Sequence, residues 1–421
     1  MKLTIKNVGR INKAEIDING ITVICGDNDT GKSTVGKLLY CIYASLYDIP
    51  ESIRKEKQSS IMKSAYRYTY FYRLQDYEKA RRIIDNLLAD SNLNEETIRN
   101  ALNALPYNKE EVLLKEPEDI VVNRIKSYLT VSDEDIVTAF LQRSIKSEFG
   151  GKLANVNTTT QKADVLLEIK NNIISFHTSG KTQKLTLDHY FSLEKRLIYI
   201  DDPFILDEVS QPSTRRIGGV QHREDLINLI QRSIQNEPEN VIEEIARNTR
   251  IQEMIKKIRE ISDGSLVFEE GEFKYNHIGL KENICLASVS TGIKTFAILR
   301  SLLERGYLEE NGIMVMDEPE VHLHPAWQMR LAEIAVLLQK AFGLNLVITT
   351  HSMDFLTAID YYSKKYDIRE KCQFYLSEVE KPSKSGDFPS VTIKNVTGDL
   401  EKVYASISAP YLKVYGEMEG D

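Results

Sequence analysis

Apolar and polar positions alternate along Leu3–Val8 and again along Ala14–Ile18. That period of two predicts a β-hairpin with one covered face. Ile21-Thr22-Val23-Ile24-Cys25 is short and rich in β-branched residues, as a buried strand is. Val35, Leu38, Leu39 and Ile42 then recur at helical spacing between Thr34 and Ser45. From 46 to 148 the pattern is one of modest helices, interrupted at Asp90-Ser91-Asn92, Pro106, Pro117 and Val131-Ser132-Asp133. Asn94 and Ser132 stand where N-caps belong, each before an acidic first turn. No heptad run persists, so this stretch predicts a compact helical insertion and not a long bridging arm. Strand patterns return at 149–200: Ala163–Ile169 and Ile173–His177 flank the turn Asn171-Asn172, and Leu197–Ile200 forms a short apolar run before Asp201-Asp202-Pro203. Phe296, Leu299, Leu302 and Leu303 mark an amphipathic helix that Gly306 should stop. Ile313–Met316 and Leu346–Thr350 are continuous apolar runs, the pattern of central parallel strands. Cys372–Val379 and Ser390–Val396 predict two more strands, and Gly398–Ile407 a short helix.

Strands alternating with helices predict an α/β fold. It divides into 1–45, the first part of a nucleotide-binding core; 46–148, the helical insertion; 149–200, a β arm and return strand; and 201–421, the rest of the core.

Composition narrows the function without naming it. The 421 residues allow two or three domains, and the net charge of −8 rules out a uniformly nucleic-acid-attracting surface. No apolar run approaches the roughly 18 residues that a membrane span needs. The N-terminus starts as a strand and not as a signal peptide. Cys25, Cys41, Cys285 and Cys372 are far apart, which predicts reduced core thiols in a cytoplasmic protein.

Chemistry concentrates in one loop and two strand ends. Gly26-Asp27-Asn28-Asp29-Thr30-Gly31-Lys32-Ser33-Thr34 fits G-x-x-x-x-G-K-[ST] between a strand and a helix. Such a loop aims backbone N–H groups and a helix dipole at one point, which suits the phosphates of ATP. Lys32 is placed to reach the β- and γ-phosphates, and the Ser33 hydroxyl to sit on Mg²⁺. Asp27 and Asp29 are expected to turn their carboxylates outward. Asp317 and Glu318 follow the strand Ile313–Met316, where a ligand crevice opens in an α/β sheet. Asp317 suits the Mg²⁺ complex, and Glu318 suits a general base for water. His351 follows Leu346–Thr350 and can hydrogen-bond the γ-phosphate or that water.

Three further stretches have two readings each. Ser290 and Gly292, at the start of the Phe296 helix, make either an anion site or a plain helix cap. Residues 54–82 mix Arg54, Lys55, Lys57, Lys63, Arg67, Arg73, Lys79, Arg81 and Arg82 with Tyr66, Tyr68, Tyr70, Phe71, Tyr72 and Tyr77. They form either a nucleic-acid or partner surface, or an amphipathic helix with buried tyrosines and solvated charges, the reading favoured here. Arg216 and His222 have a spacing seen in ribonuclease sites, but Gly218 and Gly219 break the helix that such a site needs.

The order of phosphate loop, serine-glycine signature, Asp-Glu and histidine resembles that of ABC-class P-loop ATPases. The closer likeness is to the bacterial branch labelled AAA ATPases, related to the RecF, structural-maintenance-of-chromosomes and overcoming-lysogenisation-defect proteins. Gly26-Asp27-Asn28 matches that branch's G-x-N. Asp317-Glu318-Pro319-Glu320-Val321-His322-Leu323-His324-Pro325 matches its D-E-P-E-x-x-L-H-P, and Thr350-His351-Ser352 its T-H-S. The likeness covers roughly 1–45 and 195–410 and leaves out the helical insertion. It implies an ABC-type ATPase head with an antiparallel β subdomain, and a homodimer with composite ATP sites. In that dimer Ser290 and Gly292 reach the γ-phosphate held by the partner subunit's phosphate loop. His324 takes the place of an interface aspartate.

Ile293 departs from the usual Gln or Glu, and the glutamine of the family's Q-loop has no clear counterpart. The resemblance further implies a client in phage defence or DNA repair, either nucleic acid or a toxic effector. The chain after His351 is too short for the Toprim nuclease of the overcoming-lysogenisation-defect proteins and has no D-x-D. An effector is therefore expected on another chain. Two alternatives stay open: a stand-alone DNA repair or recombination ATPase, and a nearly inactive ATP-bound scaffold that cages a toxin or nuclease.

Overall fold

The computed structural model describes residues 1–68, 76–90, 92–106, 116–155, 162–209, 220–232, 241–261, 263–269, 272–380 and 389–418. Its contacts divide the chain into two units: 1–44 with 142–191 and 195–421, and 45–141 with 192–194.

The larger unit is built on an eleven-stranded sheet. β1 (Lys2–Val8) and β2 (Ile11–Asp17) form the expected hairpin, and β3 (Ile21–Cys25) is buried along its whole length. α1 (Lys32–Leu46) follows the phosphate loop.

In the smaller unit, α2 (Ile49–Tyr68), α3 (Tyr77–Ala89), α4 (Glu95–Ala104) and α5 (Glu118–Leu129) enclose a core of their own. Asn94 caps α4 in a reciprocal capping box with Thr97, which satisfies two orphan N–H groups at once. In the basic stretch, Ile61, Met62 and Ala65 are buried, while Arg54 pairs with Glu51 and Asp85 and Lys57 with Asp133. Tyr77 is exposed, so it is not one of the buried tyrosines expected here. Tyr70, Phe71, Tyr72 and Arg73 lie outside the described residues, as do the side chains of Tyr66, Arg67 and Tyr68. α6 (Asp133–Phe149) starts at Ser132, whose hydroxyl accepts from Asp135 N at 3.1 Å.

β4 (Ala163–Ile169), β5 (Asn172–Ser179) and β6 (Lys184–His189) are not a free-standing arm. They extend the large sheet through β4, which pairs antiparallel with β1. β7 (Leu197–Ile200) is the far edge of the same sheet. Next come α7 (Ile205–Val209), α8 (Gln221–Gln231), α9 (Val241–Arg259) and a separate three-stranded sheet of β8 (Ser265–Glu269), β9 (Glu272–Asn276) and β10 (Ile284–Cys285).

α10 (Thr291–Glu304), β11 (Ile313–Asp317), α11 (Pro325–Phe342), β12 (Asn345–Thr350) and α12 (Met353–Lys365) follow in the larger unit. β13 (Cys372–Val379) pairs with β14 (Val391–Asn395), and α13 (Glu401–Met418) runs on past the short helix expected to end at Ile407. Of the cysteines, Cys25, Cys41 and Cys372 are buried. Cys285 is exposed on the short strand β10 and is not a core thiol.

Strands β13, β3, β12, β11 and β7 run parallel in that order. Their register sets Cys25 beside Thr350, Thr349 beside Asp317, and Met316 beside Ile200. The residues that follow each strand therefore emerge on one edge.

Candidate functional site

The phosphate loop turns on two glycines with φ of +149° at Gly26 and +78° at Gly31, and on Asp29 at +60°. Thr30 closes the turn by donating its hydroxyl to Asp27 O at 2.7 Å, and Ser377 on β13 donates to Thr30 O at 2.7 Å. The Asp29 carboxylate turns away to pair with Arg10, in line with the outward orientation expected of it. Asn28 is exposed, and Thr34 is half-buried in the first turn of α1, its N–H bonded to Gly31 O. Lys32 is nearly buried; its ammonium donates to Gly26 O at 2.9 Å and Asp27 O at 2.7 Å, and it faces Glu318 Oε1 at 3.4 Å.

Asp317 collects donors from three elements. Ser33 Oγ donates to Oδ1 at 2.9 Å, Thr349 Oγ1 donates to the same oxygen, and Tyr199 Oη donates to Oδ2 at 2.8 Å. Glu318 leaves the strand with φ of +48°, a left-handed conformation unusual for a side chain of its size. Its N–H is held by Thr349 O and Oγ1. The turn sets Glu318 Oε1 between Lys32 and His351, whose Nδ1 is 3.5 Å away.

His351 is in turn fixed from below. Glu320 is buried and accepts from the Thr350 hydroxyl and from His351 N at 3.1 Å. Burial pushes the Glu320 carboxyl above its usual range despite these hydrogen bonds.

Two cavities open here. One, of about 960 Å³, is lined by Gly26, Asp27, Asn28, Glu320, His322 and His351 among others. The other, of about 450 Å³, is lined by Ser33, Asp317 and Glu318 together with Asp201, Asp202 and Phe204. Carboxylates thus border the second cavity at the end of β7.

Ser290 and Gly292 line neither cavity. Ser290 is exposed at the N-cap of α10, and its side chain makes no capping bond. A Cβ on Gly292 would stand 2.8 Å from the Trp327 ring, so glycine is required for α10 to approach α11. Gly292→Ala is expected to cost about 1–3 kcal/mol through overpacking. A urea midpoint equal to that of the wild type would show that the contact has room to relax. His324 caps α11, its Nδ1 accepting from Ala326 N at 3.2 Å ahead of Pro325.

Residues 1–356 match the family model of the AAA ATPase domain. The chain belongs to this family. It is an ATPase, with an α/β P-loop fold. Among solved structures, this ATPase is similar to the SMC head domain from Thermotoga maritima at 11% identity, covering 94% of this chain and 98% of that one with a TM-score of 0.39. It is also similar to the Smc head domain with an extended coiled coil bound to the C-terminal domain of ScpA derived from Pyrococcus furiosus. There the identity is 12%, the coverage 96% and 98%, and the TM-score 0.40. These are loose likenesses. Among the described residues of this ATPase, no helix is long and apolar enough to cross a membrane.

Several residues around the site carry no motif. Tyr199 reads as one more member of a buried strand, and Thr349 as a strand residue; only the register shows that both hydroxyls reach Asp317. Arg216 lies outside the described residues, and His222 is buried between Glu148 and Asp201. Desolvation lowers the His222 pKa, but the hydrogen bonds and charges of Asp201 and Glu148 outweigh it and raise it above the ordinary 6.5. Burial pushes Asp201 up, but His222 and Arg223 outweigh it and bring it below its ordinary 3.8.

The raised histidine stabilises the fold fully below pH 6.5, and its contribution is lost as pH rises through its folded value. The depressed aspartate contributes above pH 3.8 and is lost as pH falls through its folded value. The gap in melting temperature between wild type and His222→Gln is therefore expected to be widest between pH 3.8 and 6.5 and to narrow at alkaline pH. A gap that widens with rising pH would contradict the charged pairing.

Proposed function

We propose that this ATPase is a homodimeric ATP-dependent switch that regulates a separate effector in bacterial defence against phage. The observation that carries the nucleotide reading is the convergence of Ser33 on Asp317 at 2.9 Å and of Lys32 on Glu318 at 3.4 Å. The hydroxyl and carboxylate are hard oxygen donors that fit Mg²⁺, with Ser33 and Asp317 as the residues to hold it. When bound, the ion neutralises charge on the β- and γ-phosphates.

Gly26, Asn28, Asp29, Thr30, Gly31 and Thr34 shape the loop whose N–H groups face the phosphates, and Lys32 exchanges its loop carbonyls for phosphate oxygens. Water attacks the γ-phosphorus as the bond to the bridging oxygen breaks, and Glu318 takes the water's proton. ADP and phosphate leave. His351, held by Glu320, hydrogen-bonds the γ-phosphate and keeps the water in line.

Ser290 and Gly292 complete the site of a second copy. ATP then favours the closed dimer because both chains hold the γ-phosphate, and hydrolysis removes that bridge. The pairing of Arg54, Lys55 and Lys57 with acidic neighbours lowers the positive charge that these three offer to nucleic acid.

Mixing tests the composite site. Lys32→Ala and Ser290→Arg chains should each be inactive alone. An equimolar mixture should recover about a quarter of wild-type turnover, since half the dimers then carry one intact site. No recovery would contradict shared sites. Phage plating on cells carrying this gene with its native neighbours tests the pathway, because equal plating with wild type and Lys32→Ala would overturn the defence role.

A further inference from the structure

A buried polar cluster lies behind Asp317 and is not used by the chemistry above. His222 Nδ1 lies 2.7 Å from Glu148 Oε2 and Nε2 lies 3.0 Å from Asp201 Oδ2. A neutral imidazole has one N–H and can satisfy only one of these carboxylates. Donation to both requires the cation. The Glu148 side chain is 0% exposed and that of His222 2%, so neither charge has water to fall back on.

Glu148 also caps α8. Val220 provides no side-chain cap, and the first N–H groups of the helix are met from α6: Gln221 N by Ser147 Oγ at 2.9 Å and His222 N by Glu148 Oε1 at 3.2 Å. Arg223 holds Asp201 at 3.1 Å and Asp202 at 2.9 Å. The His222 ring lies against Tyr199, with centroids 4.5 Å apart, and the Tyr40 ring meets it edge-on at 5.7 Å. Tyr40 is itself tied to Asp225. These groups bind the end of α6 and the start of α8 to the last residues of β7. Those residues supply the donor to Asp317 and border the cavity shared with Ser33 and Glu318.

We propose that His222 is a positioning residue for ATP turnover, a buried cation that ties Glu148 to Asp201 and braces Tyr199 as hydrogen-bond donor to Asp317. The inference rests on the reading of Ser33, Asp317 and Glu318 as the phosphate site. It adds to that site a brace in which His222 touches no reacting atom.

The test uses the full chain with four variants: His222→Gln, Glu148→Gln/His222→Gln, Tyr199→Phe and Lys32→Ala. His222→Gln leaves the buried Glu148 carboxylate without its cation and Asp201 with Arg223 alone, and should lower both melting temperature and kcat. The double variant removes one of those charges, so melting temperature should recover toward wild type. Its kcat should stay about tenfold down, with KM for ATP within about twofold, as for the loss of an interaction made only in the transition state. Tyr199→Phe keeps the packing and loses the donor, and should show the same split between kcat and KM.

Should His222→Gln fail to fold, the double variant and Tyr199→Phe carry the test. Turnover that returns with stability in the double variant, or wild-type kcat in Tyr199→Phe, would overturn the positioning role. Lys32→Ala separates the two assignments. Wild-type turnover in Lys32→Ala sinks the phosphate-site reading itself. Wild-type turnover in the double variant beside an inactive Lys32→Ala sinks only the brace.

Discussion

Replacing Glu318 with glutamine is expected to lower kcat for ATP hydrolysis at least about a hundredfold, the scale of a lost general base. Shape and size are conserved, so the left-handed turn at φ +48° and the bonds from Thr349 to the Glu318 N–H should persist. What disappears is the carboxylate that can take a proton, and with it the negative charge 3.4 Å from Lys32. That charge competes with phosphate for the ammonium. ATP should therefore bind at least as tightly to Glu318→Gln as to wild type, and the nucleotide recovered from the protein should be ATP and not ADP. Single-turnover kinetics with labelled ATP measure both. Hydrolysis at the wild-type rate would remove Glu318 from the chemistry.

The second large effect is on binding. Lys32→Ala should raise Kd for ATP by roughly 10- to 100-fold, the loss of one charged hydrogen bond at about 1.5–3 kcal/mol. Lys32 is nearly buried, and among the described residues its ammonium bonds the loop's own carbonyls and faces Glu318, so alanine also leaves Glu318 facing the phosphates without the lysine cation between them. Both effects act in the same direction. Titration calorimetry on the variant reads the change, and a Kd within twofold of wild type would mean that the loop does not hold the triphosphate in the way proposed. The two variants separate cleanly: one binds and does not turn over, while the other loses binding first.

Much of this arrangement is local and could be read along the chain. β3 and β7 begin and end where the apolar runs do, because a strand buried on both faces shows itself by composition alone. The phosphate loop and the Asp317-Glu318 pair are contiguous motifs, and the parallel register delivers them to one edge.

The features that eluded the pattern depend on long-range contacts. Nothing near Leu3 or Leu167 signals that β4 will pair with β1 and turn a separate β arm into part of one sheet. The tyrosine in Leu197–Ile200 looks apolar until its hydroxyl is found on Asp317. Glu148 ends a helix, where its charge opposes the helix dipole, and its purpose is visible only once α8 starts beside it. Gly292 reads as a signature residue, whereas its tightest constraint is the Trp327 ring, from a helix that begins more than thirty positions further along. Cys285 is expected in the core only because the cysteines are too far apart to pair, and β10, a short edge strand, exposes it.

The most direct test of the switch is the mass of the ATP-bound form. Sedimentation of Glu318→Gln with and without Mg-ATP should show a monomer without nucleotide and a dimer of twice the 48.2 kDa chain mass with it, and Ser290→Arg on the same background should abolish the dimer while ATP stays bound. A Glu318→Gln protein that is saturated with ATP and still sediments as a monomer would contradict the account.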